Sequence, residues 1–201
     1  MGTILTPEFY QQPVQSVARQ LLGKRLVRRL EGQRISGLIV ETETYDGEDD
    51  QACHAHSGKT NRNQMMYGRG GLAYVYFTYG MHWMLNCVCG PEGYPSAVLI
   101  RSILPLENLT FIESRRAGIM QPKWCDGPAK LTKALSIDGT LNGTDLCGLQ
   151  SGLSIENSMT IPDNWVLTSA RIGIQYAGEP WGSLPWRFFI PPEVQKNSLG
   201  I

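Results

Sequence analysis

"ISGLIVETETYDGEDDQACHAH", residues 35–56, contains the stretch on which the fold turns. Its first half, "ISGLIVETETY", has β-type composition and reads as a strand. Alternation then places Ile39, Glu41, Glu43 and Tyr45 on one face, and Val40, Thr42 and Thr44 on the other. Two carboxylates beside a tyrosine do not suit a closed core, because unpaired buried charge is very costly. That face either meets solvent on an edge strand or lines a cleft. Six of the chain's eighteen acidic residues lie between Glu41 and Asp50, and Cys53, His54 and His56 follow at once. A metal site, a solvated acidic loop and a catalytic pocket are the three readings of such a cluster.

The flanking segments set the fold class. Upstream, Val14, Val17, Ala18, Leu21 and Leu22 form one helical stripe, with Pro13 in its first turn and Gly23 at its end. "RLVRRL" (25–30) is a short strand. "LAYVYFTYGM" (72–81) and "WMLNCVC" (83–89) are two strands with a turn near Gly80, and "SAVLIRSIL" (96–104) is a buried strand. "NLTFIESRRAG" reads as a helix stopping at Gly118. "DGPAKLTKALSI" is another, with Asp126 near the cap, Pro128 in the first turn and Leu131, Ala134 and Leu135 inside. Later strands are expected at "WVLTSARIGI" (165–174) and "WRFFI" (186–190). Many strands, few helices and no regular βα alternation give an α+β fold with a mainly antiparallel sheet. No repeat or linker divides the 201 residues, so one domain over 1–201 is expected.

Composition excludes some classes. Charged residues are 18% and hydrophobic residues 42%, which does not suit a disordered chain. The formal net charge of zero neither favours nor disfavours nucleic acid, since a basic face can oppose an acidic one. The five cysteines read as reduced thiols of an intracellular protein, in cytoplasm and nucleoid or in a eukaryotic nucleus. No apolar run approaches the roughly 20 residues of a membrane span.

Several residues suit chemistry. A carboxylate such as Glu43 in a partly apolar cleft would have a raised pKa and serve as a general base. Tyr74 and Tyr76 share a strand face, which serves either core packing or stacking on a base. Tyr79, just before Gly80, should project from a loop tip, where an aromatic ring can wedge into a base stack. Lys59, Arg62 and Arg69 form a basic loop, a phosphate grip or simply a solvated segment. "DGPAK" sets Lys130 at a helix start, also within reach of a phosphate. The Cys and His residues lack the C-x-x-C or H-x-x-x-H spacing of common zinc sites, so no metal is expected.

These segments, in order, carry a resemblance. "ARQLLGKRLVRR", "GLIVETETYDGEDDQACHAHSGKTNRN", "YVYFTYGMHWMLNCV", "AVLIRSILPLE", "GPAKLTKAL", "ARIGI" and "PWRFFI" together resemble the 3-methyladenine DNA glycosylases of the alkyladenine type, over about residues 15–190. The resemblance implies a single mixed domain with a curved antiparallel sheet, flanking helices and a β-hairpin that enters the DNA minor groove. It implies hydrolysis of the N-glycosidic bond of alkylated or deaminated purines in double-stranded DNA, leaving an abasic site. Glu43 would be the base that activates water, and Tyr45, His54 and Tyr76 would enclose the flipped base. Asn86 would stand at the pocket wall, Tyr79 would be the wedge, and Arg101 would lie close to the flipped nucleotide. Asn61 and Ala129 depart from the proline and glycine common in relatives, both in segments that grip the DNA backbone. No lysine falls among the pocket positions, so no Schiff base and no strand cleavage are expected. No cofactor, membrane or obligate protein partner is expected. A non-catalytic nucleic-acid-binding module and an N-glycosidase for free nucleosides are the competing readings.

Overall fold

The structure, a computed structural model, describes residues 2–198. These form five helices: Pro7–Tyr10 (α1), Val14–Leu21 (α2), Leu109–Arg115 (α3), Pro128–Ala134 (α4) and Pro192–Ser198 (α5). They also form eight strands: Arg25–Leu30 (β1), Gln33–Asp46 (β2), Ala73–Thr78 (β3), His82–Val88 (β4), Ser96–Glu107 (β5), Leu153–Glu156 (β6), Leu167–Ser169 (β7) and Arg187–Phe189 (β8). All belong to one sheet of order β3-β4-β5-β2-β1-β6, with β8 also beside β2 and β7 beside β8. Every strand pairing is antiparallel. The mixed α+β architecture expected from the sequence is the one observed.

Local chemistry explains the elements. α2 starts after Pro13 and buries Val14, Val17, Ala18 and Leu21, its apolar stripe. It stops at Gly23, whose φ is +83°; a Cβ there would lie 2.7 Å from Ile161 Cγ1. The Thr42 hydroxyl donates to the Ala18 carbonyl at 3.0 Å and ties α2 to β2. β2 is the hub of the sheet. One edge pairs with β5 along most of its length; the other is shared between β1, up to Leu38, and β8, from Glu41 to Glu43.

Two bulges lie where the carboxylates sit. Ile39 pairs with Ile103 and Glu41 with Ser102, so Val40 is an extra residue on β2. Glu41 pairs with Ser102 and Thr42 with Ile100, so Arg101 is an extra residue on β5. Ile39 and Val40 are adjacent, yet both lie in the main apolar core. Strict alternation, which put Ile39 on the face of Glu41, therefore breaks at Val40 and resumes at Glu41.

Two apolar clusters use opposite sheet faces. Val75 joins the larger cluster, with α2, α3 and α4; its neighbours Tyr74 and Tyr76 join a smaller one with Cys53, Ala55, Met66 and Ala97. The smaller cluster packs the 50–67 segment onto the sheet and floors the candidate site. β3 is an edge strand, but two of its outer amides are occupied. Ala73 N–H donates to the Thr144 carbonyl at 2.8 Å and Val75 N–H to Asn142 Oδ1 at 3.0 Å.

One local expectation needs correction. Of "WVLTSARIGI", only Leu167–Ser169 is strand, and the chain from Ala170 is irregular. The backbone leaves the sheet there because the Arg171 side chain turns inward and the Ile172 amide donates to a side chain rather than to a ladder. Asp126 stands next to the cap of α4, as expected. The N-cap is Gly127, and Asp126 pairs with Lys130 at 2.8 Å, one turn along. Among the described residues the cysteines are unbridged, and no helix is long and apolar enough to cross a membrane.

Candidate active site

Glu43 is 0% exposed, in the C-terminal part of β2. Three donors hold its carboxylate. Ile172 N–H reaches Oε1 at 2.7 Å; the Tyr45 hydroxyl and Arg101 Nη1 both reach Oε2 at 3.1 Å. A carboxylate offers about four acceptor positions. Two are used on Oε2 and one on Oε1, which leaves Oε1 one lone pair. Burial pushes the Glu43 pKa up; Arg101, Ile172 and Tyr45 oppose that rise, and Glu41 adds to it, with a net upward shift.

The bulge at Arg101 aims its guanidinium at both acids. Nε donates to Glu41 Oε1 at 2.9 Å while Nη1 reaches Glu43. Arg187 on β8 donates to the same Glu41 oxygen at 2.6 Å. Burial alone would lower the Arg101 pKa, but Glu43 and Glu41 outweigh it and hold the guanidinium charged. The two carboxylates are thus members of a four-residue ion network, not free acids on a wet face.

Above this network lies a cavity of about 300 Å³. Tyr45, His54, Tyr76, Tyr79, Asn86 and Arg101, six positions picked out in the sequence, all line it. Glu43 itself does not. It lies behind its three donors, each of which has its residue on the cavity wall. The β3–β4 hairpin supplies one wall: Tyr74 and Tyr76 stack at 5.2 Å, and His54 meets Tyr76 edge-on at 4.5 Å. Asn86 donates to the Tyr74 carbonyl at 3.0 Å, which fixes its amide.

His54 contacts the Tyr74 hydroxyl through Nδ1 at 2.9 Å. Burial, then Arg62 and His56, lower its pKa to about 4. It is neutral at pH 7, so it adds no charge to repel a cationic ligand. Because the folded pKa lies below the unfolded one, its contribution to stability is present above about pH 6.5 and fades as pH falls toward 4. NMR titration of the ring is expected to show a midpoint near 4; a midpoint near the free-imidazole value of about 6.5 would contradict this packing.

Tyr79 ends the hairpin at its tip. Its φ is +51° and that of Gly80 +66°, and Met81 N–H donates to the Thr78 carbonyl at 3.2 Å, closing a turn with two left-handed residues. A tyrosine in that conformation is unusual, and its side chain is 82% exposed. Met81 is exposed beside it. An apolar tip held out at the mouth of a cavity has no packing role in the folded chain.

The other two candidates stand outside the cavity. Arg62 lies over the Tyr76 ring at 5.5 Å and donates to the Phe77 carbonyl at 3.2 Å, so it braces the hairpin instead of hanging in a free loop. Lys130 borders a separate groove with His82 and Lys133 and is paired to Asp126. Arg69 is paired to Asp145 at 2.9 Å.

Sequence reading missed the segment 171–176. Ile172, Gly173, Ile174 and Tyr176 close one side of the cavity, and Ile172 supplies the shortest bond to Glu43. "ARIGI" marked the place through resemblance but assigned no role to any residue in it. Asp50, the last acid of the 41–50 cluster, is fully buried against Arg171 and not part of a solvated loop. Met66, Met84 and Leu99 complete the apolar lining.

Comparison with known proteins identifies the family of the chain. The family model described as methylpurine-DNA glycosylase matches residues 8–194. A Methanocella arvoryzae protein described as "Putative 3-methyladenine DNA glycosylase" is 44% identical over 200 residues, covering 98% of each chain. Proteins of the same description from Chlorobium phaeobacteroides and Carboxydothermus hydrogenoformans are 42% and 44% identical, over 96% and 93% of this chain and 97% and 95% of theirs. The aromatic cavity, the buried carboxylate and the exposed hairpin tip belong to a chain that is a member of the methylpurine-DNA glycosylase family.

Proposed function

We propose that this chain excises alkylated and deaminated purines from double-stranded DNA by hydrolysis, with Glu43 as the base that activates water. The observation that carries this reading is a buried carboxylate set directly behind an aromatic-walled cavity of about 300 Å³ whose mouth bears an exposed tyrosine. A base inside a duplex must leave the stack before its glycosidic bond can be reached, at a cost of a few kcal/mol. Tyr79 would fill the gap and offset part of the lost stacking.

The walls then act on the flipped base. An alkylated purine is cationic and a good leaving group, and the rings of Tyr45 and Tyr76 attract it by cation–π contact while neutral His54 does not repel it. Asn86 and the His54 ring offer polar contacts for the base edge. The free lone pair of Glu43 Oε1 would accept the proton of a water attacking the sugar carbon. The carboxylate, its orientation held by Ile172 and Arg101, would stabilise the cationic sugar. The C1′–N bond breaks, the base leaves with the bonding pair, and water supplies the hydroxyl of the abasic sugar. Among the described residues no lysine lines the cavity, which supports hydrolysis without a Schiff base or strand cleavage.

The test is release of free base from duplexes bearing a single hypoxanthine or alkylated adenine, with strand breakage only after alkali. Binding without release would favour a binding module, and release from free nucleosides alone would favour a nucleosidase. Tyr79→Ala is expected to lower the flipping equilibrium, read with a fluorescent base, by about 5- to 150-fold, the worth of one stacking contact. Unchanged flipping in the folded variant would remove the wedge role.

A further inference from the structure

Arg171 and Asp50 form an ion pair in which both side chains are 0% exposed. The pair is bidentate: Nη1 donates to Asp50 Oδ2 at 2.6 Å and Nη2 to Oδ1 at 2.8 Å. Nη1 also donates to the Thr44 carbonyl at 2.8 Å and Nη2 to the Trp181 carbonyl at 3.3 Å. The guanidinium lies against the rings of Tyr45, at 4.8 Å, and Trp186, at 5.0 Å. Asp50 in turn accepts the amides of Ala52 at 3.0 Å and Asp46 at 3.2 Å.

A buried ion pair is weak grounds for a stability role, because well-packed apolar residues often serve as well or better. Its position points elsewhere. The residue after Arg171 supplies the 2.7 Å amide bond to Glu43 Oε1, and the ring against the guanidinium belongs to Tyr45, whose hydroxyl holds Glu43 Oε2. One side chain therefore adjoins two of the three donors to Glu43. Asp50 lies 121 positions earlier in the sequence, in the segment leading to Ala52 and His54 on the opposite cavity wall.

We propose that Asp50 and Arg171 are a positioning pair that latches the 171–176 segment to the cavity wall and fixes the carboxylate of Glu43. The proposal rests on Glu43 being the base. Lysine cannot substitute, since the site uses a planar fork that bonds two carboxylate oxygens and two carbonyls while lying on rings; an ammonium bonds from one point. In Arg171→Lys the charge and the partner remain, but the Ile172 amide and the Tyr45 ring lose their register. Duplex binding should stay within a few-fold of wild type while the single-turnover excision rate falls about 10- to 100-fold, as misplacement near a reacting centre does.

A second readout separates positioning from folding. Glu43 is faced by Tyr45 and Glu41 from its own strand, by Arg101 from β5, by Tyr76 from β3 and by the Ile172 amide, with the Arg171 charge behind Tyr45. Loosening the amide removes an influence that lowers the Glu43 pKa, so the acid limb of the pH–rate profile should move up in Arg171→Lys. Asp50→Asn, nearly isosteric, should show the same pairing of a slower step and a displaced limb. Each variant is assayed below its unfolding midpoint beside wild type and Glu43→Gln. An unchanged rate and limb in folded Arg171→Lys and Asp50→Asn overturns the latch, as does a slower rate with the limb in place. Failure of both variants to fold also overturns it, in favour of a purely structural pair. Activity surviving in Glu43→Gln instead removes the base assignment on which the latch rests, and is recognised separately.

Discussion

Glu43→Gln is expected to lower the single-turnover rate of purine excision by about 10²- to 10⁴-fold, the usual worth of a general base. Glutamine keeps the shape of the side chain and still offers a carbonyl oxygen to Ile172 N–H, so the hairpin, the cavity and duplex affinity should survive. What it loses is the ability to take a proton. Its second head atom is an amide nitrogen, which carries donors where Tyr45 and Arg101 also donate. The expected signature is a folded protein with near-normal lesion-duplex binding and almost no base release. Retention of more than a tenth of the wild-type rate would transfer the base role to another group.

Arg101→Ala should produce the largest loss of stability among the site positions. The Arg101 side chain is 12% exposed, and among the described residues its removal leaves Glu43 without a charged donor and Glu41 with Arg187 alone. Breaking a buried pair by removing one partner costs about 3–5 kcal/mol. The loss should depend on pH, and its sign follows from Glu43. With Arg101 gone, burial and Glu41 push the Glu43 pKa further above its unfolded value. A group raised in the folded state supports folding below its unfolded pKa, and that support is lost as pH rises through the folded value. The deficit of Arg101→Ala against wild type should be larger at pH 7 than at pH 5 in urea unfolding. A deficit below about 1 kcal/mol, equal at both pH values, would show that the network carries little charge.

Local pattern marks Glu43, Tyr45, Tyr76 and Tyr79 for physical reasons, whereas His54, Asn86 and Arg101 come only through the resemblance. The strand around Glu43 is long, β-branched and aromatic, and the hairpin at Tyr79–Gly80 carries its own turn chemistry. Local signals of that kind survive in one dimension. The bulges at Val40 and Arg101 were not visible, because alternation counts residues and a bulge is set by the partner strand. That Arg101 reaches both Glu41 and Glu43 follows from its bulge. Asp50 looked like one more acid in a charged loop. Its meaning depends on Arg171, and a contact across 121 positions leaves no local trace. "WVLTSARIGI" has strand composition, and tertiary demand overrode it: a buried guanidinium and one amide were worth more there than a ladder. Arg62 reads as part of a basic loop and Lys130 as a basic residue at a helix start, and composition cannot tell a brace on Tyr76 or a pair to Asp126 from a free phosphate contact.

The most direct measurement is the single-turnover rate of base release from a hypoxanthine-bearing duplex, followed from acid to neutral pH, for wild type and Glu43→Gln. With a buried carboxylate as base, the wild-type rate should rise as pH passes a midpoint above the ordinary glutamate value, and the Glu43→Gln rate should be low and flat over the same range. The same rising limb in both proteins would contradict the account, because the titrating base would then lie elsewhere.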